Sequence, residues 1–451
     1  MDLDTLLPAL MFLFLMLGLF STLPVGLVLM GVTLSFGGIA IALGEMRFVQ
    51  VTLMPNRIFG GIIENPVLVA APMFIFMGLI MEKTRIAEDL LIALQKALRV
   101  VPGGLALAVT LMGTILAAAT GIIGASVVML TVLALPTMLD KGYSPALASG
   151  TVASAGTLGI LIPPSVMLVF MGDLLTLNLA KLFVAAFLPG LALAAIYVVY
   201  IVIRAALDPA SAPAAPKIDG ETGLWREFLV ALALPLLIIV AVLGSILGGI
   251  ATPTEASGVG AFAALVLGFV RGRLNLPVLS DAMDRSIRTI AMLFFIFVGA
   301  TAFSYVFRHV GGETFIINAA RSLQLGDWGL LAMMMILIFV MGFFFDWIEI
   351  TLILLPIFTP IIQVMDLGDH VPRADLVYWF AVLMAVNLQT SFLTPPFGFA
   401  LFYLKGAARD RVQMGQVYRG IVPFVVLQLI ALGLFIAYPS FVMYLPNVLL
   451  K

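Results

Sequence analysis

The sequence predicts an all-α, multi-pass membrane protein made of two inverted-topology repeats that contain helical hairpins and broken helices. Three observations lead to this prediction: the composition is very apolar, the apolar stretches have transmembrane length, and short motifs recur in order in both halves. Of the 451 residues, 63% are hydrophobic and 10% are charged. Soluble domains carry roughly 25% charged residues, so this chain cannot cover a globular surface with them and is predicted to lie in a bilayer.

The apolar stretches are long enough to cross a membrane as helices, which takes about 20 residues. They are apolar on all sides, whereas the strands of a membrane barrel would alternate polar and apolar residues. The stretches without Asp, Glu, Lys or Arg are residues 5–44, 100–139, 142–172, 182–203, 228–254, 289–307, 376–404 and 420–450.

The residue inventory excludes several function classes. There is no cysteine, which excludes disulfides, iron–sulfur clusters and thiolate metal sites. The only histidines, His309 and His370, are far apart in sequence, so a transition-metal enzyme is not expected. A net charge of −1 and the lack of a basic patch give no indication of nucleic-acid binding. The start, MDLDTLLPAL, has no basic residue before its apolar run and is interpreted as a retained helix that begins outside.

Two halves of similar length flank a polar segment. Residues 205–227 begin with AALDPASAPAAPKIDGETGL and are predicted to be a linker between a first half, 1–204, and a second half, 228–451. Three motifs recur in the same order, although an ordinary interhelical loop between unrelated halves is the alternative. The matches are PMFIFMG (72–78) with LFFIFVG (293–299), TVLALPTML (131–139) with TLILLPIFT (351–359), and Pro163-Pro164 with Pro395-Pro396. Repeats with paired helix breaks are typical of secondary transporters.

The first half contains a predicted hairpin at about 103–139. Its charge-free run, 100–139, would measure about 60 Å as one helix, twice the ~30 Å hydrocarbon core, so it has to fold back. The turn is expected in AAATGIIGASVV (117–128), which is rich in small and hydroxylated residues. The alternative is that these small residues serve helix packing alone.

The second half contains the corresponding hairpin at about 328–365, interrupted by GFFFDWIEIT (342–351). An acid facing lipid costs about 2.5–3.5 kcal/mol, so Asp346 and Glu349 are expected to face a cavity, a partner or an ion. Their spacing of three residues puts both on one helix face, where their charges repel unless a cation intervenes. An interfacial loop is the alternative.

Double prolines mark the two predicted broken helices. GTLGILIPPS lies within the helix predicted at about 144–178, and QTSFLTPPFG within that at about 376–405. Proline ends one half-helix and suits the first turn of the next. The freed carbonyls can bind a hard cation, and the exposed amides of the restarted helix attract a carboxylate. Purely structural kinks are the alternative, but they do not explain the repetition.

These strings together resemble one family over essentially the whole chain. The chain is similar to the large membrane subunit of tripartite ATP-independent periplasmic (TRAP) transporters. The resemblance implies a scaffold and a transport domain that moves as an elevator, and sodium-driven uptake of a small organic acid across the bacterial inner membrane. It also implies two partners, a periplasmic substrate-binding protein and a small four-helix membrane subunit, which we expect on separate polypeptides. The matching strings are TGIIGASVV with KGY, ASAGTLGILIPPS, GIATPTEASGVGA, FFFDWIEITLILLPIFTP and NLQTSFLTPPFG.

The resemblance also implies functional residues at the hairpins and breaks. Ala125 replaces the second serine usual in the family, and Trp347, Ile348 and Glu349 replace a small, hydroxylated run, so backbone carbonyls are expected to carry more of the sodium ligation. Glu349 could select substrate, bind an ion or link transport to protons. The implied sodium-binding residues are Gly124, Ser126, Gly156, Thr157, Gly159, Asp346, Thr390, Thr394 and Gly398. The implied substrate-binding residues are Ser126, Ser165, Glu349 and Thr394.

Orientation and rival functions complete the predictions. Residues 82–101 carry four basic residues and residues 308–327 carry two, which favours the first group inside. The rivals are a stand-alone ion-coupled organic anion carrier without a binding protein, a passive channel, and an intramembrane enzyme that uses the Asp346–Glu349 pair for acid–base chemistry. The substrate, whether a C4-dicarboxylate, a keto acid or another acid, and the choice between sodium and protons stay open.

Overall fold

The computed structural model describes residues 3–21, 23–120, 123–214, 224–395 and 398–450. Within these ranges the chain forms α-helices joined by turns and short 3-10 or π segments, and no strand. Nine helices in the described part are long and apolar enough to cross a membrane, or ten if one bent pair is counted as a single span. The predicted all-α, multi-pass fold is confirmed.

The first half contains twelve α-helices and, after α4, a π-helix at Phe59–Ile63. The helices are α1 (Leu3–Leu19), α2 (Val25–Leu43), α3 (Phe48–Thr52), α4 (Met54–Ile58), α5 (Ala70–Lys83), α6 (Ile86–Leu98), α7 (Gly104–Thr120), α8 (Ile123–Leu133), α9 (Leu135–Asp140), α10 (Pro145–Thr157), α11 (Val166–Leu174) and α12 (Leu179–Leu207).

The second half contains ten α-helices, of which α16 and α17 meet at an angle of 115°. The helices are α13 (Leu224–Leu247), α14 (Pro253–Val270), α15 (Leu276–His309), α16 (Gly312–Ser322), α17 (Gly326–Met341), α18 (Trp347–Val364), α19 (Arg373–Ser391), α20 (Phe399–Ala408), α21 (Met414–Ala437) and α22 (Pro439–Leu449).

Local sequence explains where α14 starts. In the TPTEA string Thr252 is the N-cap, and its hydroxyl accepts a hydrogen bond from the Glu255 amide at 3.3 Å. In return the Glu255 carboxylate accepts from the Thr252 amide at 2.8 Å. This reciprocal capping box satisfies amides that a helix start leaves unpaired, and Pro253 fits the first turn because it has no amide hydrogen to pair. The TPTEA string therefore has a structural role at a helix start.

The two halves pack against each other in reciprocal pairs. Helix α2 contacts α15 while its second-half counterpart α14 contacts α5, and α8 contacts α20 while α18 contacts α11. Likewise α10 contacts α21 and α19 contacts α12. Replacing both helices of a contact by their counterparts in the other half gives the second contact of the same pair. This is the packing expected of a two-fold repeat. Both halves are therefore needed to surround either helix break.

Helix α6 lies within the basic segment 82–101, and ion pairs connect this segment to the second half. Asp89 on α6 accepts from Arg271 and, at 2.8 Å, from Arg273, both at the end of α14. Lys83, just before α6, pairs with Asp281 of α15. Asp89 is partly shielded from water, so its pairs with the two arginines are stronger than exposed ones. The segment from Lys83 through α6 is therefore connected to α14 and α15.

The start of the predicted linker is docked rather than solvated. The Gly103 amide donates to the Ala212 carbonyl at 3.0 Å, and the Ser144 amide donates to the Ser211 carbonyl at 2.9 Å. Both Ser211 and Ala212 are buried. The composition pointed to solvent because Ala, Pro and Ser are common in loops, but their small size also permits close docking on the ends of α7 and α10. Residues 215–223 lie outside the described ranges.

Candidate functional site

The first helix break separates α10 from α11. After Thr157 the chain makes one 3-10 turn, Leu158–Ile160, and becomes helical again at Val166. The Ser165 hydroxyl donates to the Ile160 carbonyl at 2.6 Å across the break, and the Thr157 hydroxyl donates to the Ser154 carbonyl at 2.9 Å. All residues of the break are buried. The predicted site residues Gly156, Thr157, Gly159 and Ser165 therefore lie together in the protein interior.

The first hairpin touches this break at a glycine. A Cβ atom placed on Gly156 would lie 2.6 Å from Cγ2 and 3.0 Å from Cα of Val127 on α8. Real Cβ contacts are longer than this, so only glycine permits α8 to lie so close to the end of α10. Ser126, buried on the adjacent position of α8, is carried to the same region. Gly121 and Ile122, within the segment where the turn of the hairpin is predicted, lie outside the described residues.

The second break separates α19 from α20. The Thr390 hydroxyl donates to the Val386 carbonyl and the Thr394 hydroxyl to the Thr390 carbonyl, each at 2.8 Å. Gly398, with φ +47°, precedes α20, and a Cβ there would lie 3.1 Å from the Phe392 carbonyl oxygen. Of the predicted double proline, Pro396 falls outside the described part of the chain.

The second hairpin touches its break at a glycine too. A Cβ on Gly342, directly after α17, would lie 1.9 Å from Oγ and 2.5 Å from Cβ of Ser391, the last residue of α19. The contact comes from the first arm of this hairpin, whereas in the first half it comes from the second arm, α8. In both halves a glycine contact joins a hairpin to a helix break.

The acid pair caps α18. The Asp346 carboxylate accepts from the Trp347 amide at 2.8 Å, and the Glu349 carboxylate accepts from the Asp346 amide at 3.1 Å. Both side chains are partly buried, and no ion pair within the described ranges involves either of them. Asp346 is the N-cap of α18, whereas Ser126 is the fourth residue of α8, so the two residues do not occupy equivalent positions in the two halves.

Aromatic side chains link the hairpins to the opposite half, and the sequence analysis missed them. A Cβ on Gly124 would lie 3.0 Å from the Tyr403 ring on α20. In the reciprocal pair, the Trp347 ring lies 6.2 Å from the Phe170 ring on α11. No sequence motif indicates these aromatic residues. They could have been predicted only from the packing of each hairpin against a helix of the other half.

The predicted residues therefore form three sets. Gly124 and Ser126 on α8 lie against the first break, which contains Gly156, Thr157 and Gly159, and Ser165 lies in the same break with its hydroxyl bonded to the Ile160 carbonyl. Asp346 and Glu349 lie at the start of α18, which packs against α11, and Thr390, Thr394 and Gly398 line the second break. The described residues contain no cluster of His, Asp and Glu that could hold a transition metal.

Comparison with known proteins identifies the family. Residues 9–441 match the family described as "Tripartite ATP-independent periplasmic transporter, DctM component". The chain belongs to this family. It is therefore a multi-pass inner-membrane protein and the large permease component of a TRAP transporter. The family is one of transport permeases, not of enzymes.

Relatives in the family have different transported compounds in their names. The chain is 32% identical to the C4-dicarboxylate TRAP transporter large permease protein DctM of Pseudomonas aeruginosa, over 85% of this chain and 87% of that one. It is 29% identical to the ectoine permease TeaC of Halomonas elongata, over 92% of both chains. It is 27% identical to the sialic acid permease SiaM of Vibrio cholerae, over 96% of both.

A solved structure supports the fold independently. The Alcanivorax borkumensis YdaH transporter superposes with a TM-score of 0.63, covering 96% of this chain and 97% of that chain, at 14% sequence identity. At this identity the likeness concerns the fold alone.

Proposed function

We propose that this TRAP permease imports a small organic acid across the inner membrane, driven by a sodium gradient, through an elevator motion. A periplasmic binding protein delivers the acid and a small four-helix subunit accompanies the permease. The proposal is supported by the relatives, because C4-dicarboxylates, sialic acids and ectoine all carry carboxylate groups.

One observation carries the ion coupling. Asp346 and Glu349 are partly buried within apolar surroundings, share a helix start, and have no cationic partner among the described residues. Two neighbouring carboxylates in such a place repel each other and repel an anionic substrate. A bound cation removes both penalties. Sodium is the proposed cation, held by Asp346 and by hydroxyl and carbonyl oxygens at the second break.

The first break supplies the second proposed sodium site. Ser126 on α8 and the backbone of Gly156, Thr157 and Gly159 meet where Gly156 touches Val127. The carboxylate of the substrate binds between the two sites, near Ser126, Ser165, Thr394 and Glu349. Because sodium lowers the cost of binding the acid, the acid must raise the affinity for sodium by the same factor.

The experiment is uptake into proteoliposomes that contain the permease, its small subunit and its binding protein. The cognate acid is first identified by screening the binding protein against organic acids in a thermal-shift assay. We expect an inward sodium gradient to drive accumulation and Asp346→Asn to raise the half-saturating sodium concentration about 10- to 100-fold, because a charged ligand contributes about 1.5–3 kcal/mol.

Asp327→Asn is the matched control, since Asp327 lies in the first turn of α17 in the same half, where it is partly exposed and outside both helix breaks. It removes the same charge and should leave sodium dependence unchanged. The proposal would be refuted if uptake did not depend on the sodium gradient and Asp346→Asn kept full activity. Equal uptake without the binding protein would favour the stand-alone carrier, and uptake that never saturates would favour a channel.

A further inference from the structure

A polar cavity of about 550 Å³ opens beside the candidate site, and none of the predicted site residues lines it. Its walls come from α4 and the following π-helix, the end of α11, the C-terminal half of α15, and α18. The cavity thus lies between elements of both halves. Its volume is sufficient for a small organic acid.

The polar groups of the cavity favour an anion. Arg57 and Arg308 line it, and Arg57 has no ion-pair partner among the described residues, while Arg308 pairs with Glu313 at 3.1 Å. His309 shares a 2.8 Å hydrogen bond with the Tyr305 carbonyl. Asp173 is the one acid among the described lining residues. Because Glu313 already pairs with Arg308, the guanidinium group of Arg57 is the lining cation without an ion-pair partner among the described residues, and it is the group best placed to attract an anion.

Asp173 lies near the end of α11 and already accepts a hydrogen bond. Asn65 donates a hydrogen bond of 2.5 Å to its carboxylate from the loop that follows the π-helix. An anion in the cavity would therefore be repelled from the α11 side and attracted to the side of Arg57 and Arg308. A planar guanidinium without a partner suits a carboxylate, which it can bind with two parallel hydrogen bonds.

Aromatic rings separate the cavity from the acid pair. Phe297 lines the cavity, its ring lies 5.4 Å from that of Phe170, and the Phe170 ring lies 6.2 Å from that of Trp347. Leu352, also in the wall, follows Glu349 by three residues on α18, or about 4.5 Å along the axis. An acid in the cavity is thus next to the candidate site but is shielded from it.

We propose that this cavity is an outer anion-binding site that holds the carboxylate of the incoming acid on Arg57 and Arg308 before it reaches the helix breaks. The inference rests on the proposed function for the identity of the acid, but not for the existence of the site. The anion stays bound in the outer cavity because the negative charges of Asp346 and Glu349 repel it from the helix breaks until a cation neutralises them.

The chain has no cysteine, so the potential of the cavity can be measured directly. In Ser304→Cys, a residue of the cavity wall, the thiol reacts with two matched reagents, the anionic sulfonatoethyl and the cationic trimethylammonioethyl methanethiosulfonate. Both form a mixed disulfide and release methanesulfinate. The ratio of the two rates, anionic over cationic, reports the local potential and needs neither substrate nor transport.

Ser322→Cys is the reference, because Ser322 is exposed on α16 beside the exposed Arg321. Its rate ratio measures the effect of a single surface arginine on the labelling of a neighbouring thiol. We expect the rate ratio at position 304 to exceed that at position 322 about fivefold or more, and Arg57→Gln or Arg308→Gln to lower it at least threefold, since removing a charge near a partly enclosed site changes its potential strongly. A ratio equal to that at 322, or one insensitive to both substitutions, overturns the proposal.

Arg373→Gln is the matched charge control. Arg373 begins α19, pairs with Asp366 at 3.4 Å and does not line the cavity. It should leave the rate ratio at position 304 unchanged. A change as large as that of Arg57→Gln would assign the effect to the general surface charge and overturn the site.

Uptake separates this inference from the proposed function. In the reconstituted system, Arg57→Gln should raise the half-saturating acid concentration about tenfold and leave the half-saturating sodium concentration unchanged. If wild type shows no sodium-driven uptake while the labelling ratio at position 304 still depends on Arg57, the proposed function fails and the anion site stands. If uptake is sodium-driven but Arg57→Gln alters neither labelling nor acid dependence, the site fails alone.

Discussion

Replacing Gly156 by alanine should disturb the contact that brings the first hairpin to the first break. The added Cβ would lie 2.6 Å from Cγ2, 3.0 Å from Cα and 3.1 Å from N of Val127. The last two atoms are backbone, so no rotamer change relieves them and α8 itself must move. Overpacking of this kind costs about 1–3 kcal/mol, which we expect to lower the thermal unfolding temperature in detergent.

Two companion variants make the prediction specific. Gly31→Ala, in α2, adds the same atom where nothing lies within 4 Å, so it should be neutral or slightly stabilising. The double variant Gly156→Ala/Val127→Ala removes Cγ2 but leaves the backbone contacts, so it should restore only part of the loss. If Gly156→Ala unfolds at the temperature of Gly31→Ala, or if the double variant recovers completely, the close approach of α8 and α10 is not as described.

Three further predictions concern other contacts. Gly342→Ala, whose Cβ would lie 1.9 Å from Oγ of Ser391, should destabilise by about 1–3 kcal/mol, and adding Ser391→Gly should recover most of it in thermal unfolding. Asp89→Asn should destabilise by about 1–3 kcal/mol because two arginines lose a shielded partner, while Asp284→Asn, in an exposed pair with Arg288, should cost under about 1 kcal/mol; the same unfolding assay distinguishes them. Tyr197→Phe should cost about 1–3 kcal/mol, because two buried glutamine amides donate to that hydroxyl.

The sequence predicted the interruptions well because they have local causes. A charge-free run of twice the bilayer thickness must turn, and a double proline cannot continue a helix, so both features are visible without knowing any neighbour. The acid pair was visible for the same reason, since carboxylates in apolar sequence are costly wherever they point. The structure places Asp346 and Glu349 at a helix start, as that cost requires.

The partners of these elements could not be predicted, because they depend on distant packing. Tyr403 touches Gly124, and Phe170 touches Trp347, across 279 and 177 positions of sequence that contain no shared motif. The docking of Ser211 and Ala212 was missed since small residues are equally at home in solvent and in tight contacts. The outer cavity could not be predicted for a related reason. Arg57 and Arg308 are far apart in sequence, belong to no motif, and line the same cavity only in the folded chain.

The exchange of contacts between the halves has a mechanical consequence for coupling. The first hairpin touches the first break through Gly156 and the second restarted helix through Gly124 and Tyr403. The second hairpin touches the second break through Gly342 and the first restarted helix through Trp347. An ion that repositions either hairpin should therefore shift packed groups on both sides of the site, since closely packed interiors transmit strain. We infer that the two proposed sodium sites are energetically coupled, so a variant at Gly156 in the first half should change the sodium affinity that Asp346→Asn probes in the second.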